Sequence, residues 1–107
     1  MNDYSIFKEV KDDIDTLRRH ILIIRTLLME QPQGIIKMSQ ETGIPEHKIR
    51  YSLRILEREG IIEASREGAI LTSTFMENKR GVIDSGKKTL DEFNELYKEL
   101  KNLLENQ

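Results

Sequence analysis

Residues 38–62, MSQETGIPEHKIRYSLRILEREGII, decide the fold. Residues 36–43 read as a short helix with Met38 facing inward, stopped by Gly43. Glycine takes positive φ freely, so Gly43 can turn the chain between two helices. Pro45 suits the first turn of the next helix, where its missing N–H costs nothing. Ile49, Leu53 and Leu56 step by 4 and 3, which gives a helix over 45–59 one buried face. Gly60 then ends that helix in the left-handed region.

Upstream, residues 5–31 contain neither Gly nor Pro. Phe7, Val10, Ile14, Leu17, Ile21, Ile24 and Leu28 alternate steps of 3 and 4. That predicts one long helix, ended before Pro32. From Ile21 onward, Leu22, Ile23 and Leu27 widen the apolar stripe, so the second half is expected to be buried on more than one side. Downstream, Ile61-Ile62 and Ile70-Leu71 flank Ser65-Arg66-Glu67-Gly68, the pattern of a hairpin over 61–72. Residues 76–88 have no readable period. Gly81 and Gly86 interrupt them. A last helix is expected over 89–105, opened by the capping box Thr89-Leu90-Asp91-Glu92. Its stripe is Leu90, Phe93, Tyr97, Leu100 and Leu104.

Composition narrows the function classes. The chain has 107 residues, 37% hydrophobic and 34% charged, with net charge −2. Ile, Leu, Val and Phe number 31, too many for a disordered chain. The expectation is one domain over 1–107. With no Cys there is no thiolate metal site, disulfide or Cys nucleophile. No apolar run is long enough for a membrane span, and no signal peptide is visible. A cytoplasmic protein without cofactor is expected. His20 and His47 lack a metal-ligand pattern. No phosphate-binding glycine loop or nucleophile elbow appears, so an enzyme is not expected. No third of the chain is strongly basic, so nothing global announces a nucleic-acid binder.

The local pattern around Gly43 is more specific. Ser39 lies four before the turn Gly43, Ile44 follows it, and Ile49 lies six after it. The run from Leu53 to Ile62 resembles the ending "L-x-x-L-x-x-x-G-L-I". Together these resemble the winged helix-turn-helix transcriptional regulators, in particular small archaeal-type regulators related to the PadR and MarR groups. The resemblance covers about 40 residues of the 107. It implies a mainly α fold with a small β-hairpin wing. Residues 35–72 would form the helix-turn-helix and wing, flanked by the two long helices. It also implies that the exposed face of helix 45–59 enters the major groove of double-stranded DNA. The contact positions would be His47, Lys48, Arg50, Tyr51 and Arg54, with Arg66 at the tip of the wing. Two features depart from the family: Glu46 stands early on that face, and the wing holds one basic residue. The same charges, at helical spacing, also suit pairing with acids such as Glu46.

The narrow seam Phe7, Val10, Ile14 and Leu17 carries a second signal. A helix over 5–31 is about 40 Å long, against a radius of gyration near 13 Å for a domain of about 100 residues. Residues 36–72 are too few to cover it. A homodimer burying this seam with Leu90, Phe93, Tyr97, Leu100 and Leu104 is the natural cover. Its two recognition helices would meet successive major grooves about 34 Å apart. The competing expectation is a winged-helix module for protein–protein contacts within a larger assembly, which the balanced charge of residues 32–74 favours.

Overall fold

A computed structural model describes residues 5–107. After one 3-10 turn, Ser5–Phe7, the order is α1 (Lys8–Met29), α2 (Ile35–Thr42), α3 (Glu46–Arg58), β1 (Ile62–Ser65), β2 (Gly68–Leu71), α4 (Ser73–Glu77) and α5 (Lys79–Glu105). The protein is thus mainly helical with one antiparallel two-stranded hairpin. The chain divides into two compact units, one ending at Met76 and one over Glu77–Gln107.

The first unit is built around the α2–α3 connection. Gly43 sits at φ 77°, and its N–H donates to the Ser39 carbonyl at 2.9 Å. The Ser39 hydroxyl donates to the Ile44 carbonyl at 2.6 Å, and the Thr42 hydroxyl accepts from the Ile44 N–H at 3.2 Å. A small hydroxyl side chain at position 39 is therefore a fastening for the turn. At the other end of α3, Gly60 has φ 76°. The Ile61 N–H reaches back to the Leu56 carbonyl and the Gly60 N–H to the Glu57 carbonyl. That pair of bonds is the Schellman ending, which satisfies carbonyls the helix itself leaves open.

The core gathers Ile23 and Leu27 of α1, Met38 of α2, Ile49 and Leu56 of α3, and Ile62, Ala69 and Leu71 of the hairpin. Leu53, Ile44, Phe75 and others pack against it as half-buried neighbours. The hairpin pairs Ile62 with Leu71 and Ser65 with Gly68, which leaves Arg66 and Glu67 as a two-residue tip. Gln33 bridges to Ala69 on the other side of β2 through N–H···O bonds of 3.1 and 2.8 Å. Its side-chain amide donates to the Glu30 carbonyl at 2.8 Å and the Thr26 carbonyl at 3.4 Å. Gln31 accepts from the Leu71 N–H at 2.8 Å. Two glutamines thus tie the open end of α1 to the hairpin.

Three expectations need correction. The first helix begins at Lys8 and ends at Met29, shorter than 5–31, with Glu30 already extended. Within its second half, Ile23 and Leu27 are core, but Ile21 and Leu28 are exposed. The last helix does not begin at Thr89. It runs from Lys79, and the Thr89 hydroxyl donates to the Ser85 carbonyl inside the helix, so no capping box forms. Each interior glycine costs about 1 kcal/mol, too little to stop a helix of this length.

Candidate nucleic-acid interface

Helix α3 separates its residues by side. Ile49, Ser52 and Leu56 are buried. At about 100° per residue, the direction opposite them carries His47, Arg50, Tyr51, Arg54 and Arg58. All five are exposed. Arg50, Arg54 and Arg58 follow one another at spacing four, so three guanidinium groups line up along one stripe. Like charges at that spacing weaken an isolated helix unless something compensates them. Arg58 lies 3.7 Å from the Glu59 carboxylate in an exposed pair. Among the described residues, Arg50 and Arg54 form no ion pair, and Glu46 pairs with neither.

Arg50 and Arg54 border a cleft of about 360 Å³ together with Leu53 and Glu57. Its other wall is the hairpin, through Ile62, Ala64, Ser65, Gly68 and Ala69, and its end is Gln33, Gly34 and Ile35. Arg66 is exposed at the hairpin tip. The turn beneath it is fixed by the Ser65 hydroxyl, which donates to the Gly68 carbonyl at 2.6 Å. Lys48 is exposed but lies roughly 160° around α3 from Arg50, on the flank of Ser52. Of the six residues singled out in the sequence, His47, Arg50, Tyr51 and Arg54 therefore share one face of α3, Lys48 stands apart, and Arg66 belongs to the hairpin.

Three further residues belong to this face or support it, beyond those the sequence singles out. Arg58 was legible, since it continues the spacing of Arg50 and Arg54. Ser52 left a weaker sign, a hydroxyl on the buried stripe between Ile49 and Leu56, which requires a partner. That partner is Arg19 on α1, whose Nε donates to the Ser52 hydroxyl at 2.6 Å. The Arg19 guanidinium also lies over the Tyr51 ring, 5.8 Å from its centre. Next to it, His20 is held below its ordinary pKa of 6.5, first by burial and then by the Arg19 charge.

Helix α1 has two apolar faces. Ile23 and Leu27 point into the core of the first unit. Phe7, Val10, Ile14, Leu17 and Ile21 lie roughly 140° around the helix from them. That seam is uncovered, with Leu17 54% and Ile21 55% exposed. On α5, Leu90, Phe93, Tyr97 and Leu104 are exposed and Leu100 is half-buried. Val82 and Ile83 are exposed on the same helix. Ile83, Leu90, Tyr97 and Leu104 recur every seven residues, so the apolar stripe is one heptad longer than the sequence reading gave it.

No described helix is long and apolar enough to cross a membrane. Among the described residues, no group of three His, Asp or Glu converges as a metal set. The chain matches no protein-family model and no curated protein.

Proposed function

We propose that the protein is a sequence-specific, double-stranded-DNA-binding transcriptional regulator of the winged helix-turn-helix kind, acting in the cytoplasm as a homodimer. In this reading α2 and α3 are the helix-turn-helix, α3 is the recognition helix and the hairpin is the wing. The observation that carries it is the stripe Arg50–Arg54–Arg58, where two of three guanidinium groups have no acid partner among the described residues. A face of this kind can place its guanidinium groups on phosphates and guanine edges. His47 and Tyr51 on the same face supply further polar contacts, and Arg66 reaches toward the backbone from the wing. Lys48 joins as a phosphate contact on the flank. The second copy covers the α1 seam and the α5 stripe. The protein binds and does not catalyse, and it works without a cofactor.

The test is selection of bound sequences from a random duplex pool. A palindromic motif with half-sites one helical turn apart supports both the function and the symmetry. Absence of any bound duplex at low salt removes the reading. A protein-interaction module then takes its place, and Glu46 and Glu57 beside the arginines are what favour it.

A further inference from the structure

Arg19 stands outside α2 and α3, yet its side chain is fixed against α3 at two points. Ser52 is fully buried, and its hydroxyl takes the Arg19 Nε–H at 2.6 Å. The guanidinium carbon also lies over the Tyr51 ring, 5.8 Å from its centre. An arginine has five N–H donors in a rigid fork. Ser52 takes one, which leaves the two terminal nitrogens with their four. Among the described residues, no carboxylate lies within ion-pair distance of Arg19. Asp15, one turn earlier on α1, is the nearest acid in sequence on that side, and it forms no pair with it.

Such a group differs from an ordinary surface cation. The entropy of ordering its long side chain is lost on folding, before any ligand arrives, which strengthens whatever binding follows. Its charge is uncompensated, and its free edge can accept a planar or tetrahedral oxyanion through two parallel bonds. Lys48 stands one turn before Ser52 on the same flank of α3, so a second cation is near. We propose that Arg19 is a phosphate-binding residue, and that α1 grips the DNA backbone beside the groove into which α3 is inserted. This rests on the DNA-binding reading above and extends it to an element outside the helix-turn-helix. Contacts to phosphate position a protein without reading sequence. The Arg19 contribution is therefore the same on specific and non-specific duplexes.

The experiment titrates an arbitrary-sequence duplex of about 30 base pairs, followed by fluorescence anisotropy, between about 50 and 200 mM salt. Wild type, Arg19→Ala and Arg19→Lys are compared, each with a thermal melt. Every neutralised phosphate contributes a slope of about −0.9 in log affinity against log salt. Arg19→Ala should be shallower by about that amount, so across this range the wild type loses about 3.5-fold more affinity than the variant does. Arg19→Lys keeps the charge and should keep the slope, with weaker binding because the fork is lost. If Arg19→Ala melts below the assay temperature, Arg19→Gln carries the same slope test, since it removes the charge and keeps an N–H donor for Ser52. A variant that melts lower but binds with the wild-type slope makes Arg19 a brace for α3 and overturns the proposal, while DNA binding itself stands. A wild type that binds no duplex overturns both.

Discussion

A methyl group on Gly68 would sit 2.4 Å from the carbonyl carbon and oxygen of Gln33 and 2.7 Å from the Gly34 nitrogen. All three are backbone atoms, so no rotamer change relieves the clash. Gly68 also has φ 135°, a conformation closed to other residues. At Gly43, φ is 77° but nothing lies within 4 Å of the added carbon. Gly43→Ala should therefore cost only the left-handed strain, about 1–2 kcal/mol. Gly68→Ala should cost roughly 3 kcal/mol, because strain adds to a displaced hairpin. Urea denaturation of the two variants ranks them, and the reverse order contradicts the geometry. Gly43→Val should exceed Gly43→Ala, since a branched side chain at positive φ is a true outlier. The titration of His20 is a second test at this scale. Burial and then Arg19 lower its folded-state pKa, so the unfolded chain takes up the proton first. Stability should fall as pH drops through 6.5, the ordinary value, and stop falling at the lower folded value. Melting temperatures at about pH 7.5 and pH 5.5 measure this. Replacing His20 with Gln should flatten that part of the difference.

Among the elements, α1 shows most clearly what a pattern conceals. Its regular steps of 3 and 4 mark the seam, and the seam is the face that the first unit leaves bare. The inward face reads Arg19, His20, Ile23, Thr26 and Leu27, the first two half-buried and the others buried, with enough polar atoms to hide its period. Thr26 is tolerated there because its hydroxyl donates to the Leu22 carbonyl at 2.9 Å. Leu17→Asp acts on the bare face alone. It should leave the helical content and the cooperative melt close to wild type, and convert a dimer to a folded monomer by light scattering. A wild type already monomeric at tens of micromolar, or a variant that unfolds, rejects the seam as an interface. The α2–α3 connection and the hairpin were legible because Gly43, Gly60 and Gly68 announce backbone conformations that few other residues adopt. The start of α5 was not. Thr89-Leu90-Asp91-Glu92 has the local form of a helix start. What overrides it is the sum of many weak preferences along Lys79–Glu105, helped by the spacing-four pairs Arg80–Asp84 and Lys87–Asp91. The Arg19–Ser52 contact spans 33 positions, and nothing local points from one residue to the other.

For the molecule as a whole, charge is distributed so that a balanced total hides a local stripe. Net charge is −2, yet the outward face of α3 bears three arginines. On the DNA-binding reading proposed above, affinity should be high at low salt and fall steeply as salt rises, since each phosphate that the protein neutralises releases condensed counterions. Arg54→Ala, at the centre of the stripe, should cost about 1–3 kcal/mol on a selected site if it reads a base edge. On random duplex it should cost much less, and equal losses on both would make it a phosphate contact. Two bonds at the foot of the hairpin couple its motion to that of α1. The Ala69 amide is held by the Gln33 carbonyl and the Leu71 amide by the Gln31 side chain, while Gln33 also closes the last turn of α1. Opening the hairpin therefore frays the end of α1, and the two should breathe as one cooperative patch. In native-state hydrogen exchange the amide protons of Ala69, Leu71 and Glu30 should share one opening free energy. Gln33→Ala should speed all three together and leave the protected centre of α3 unchanged.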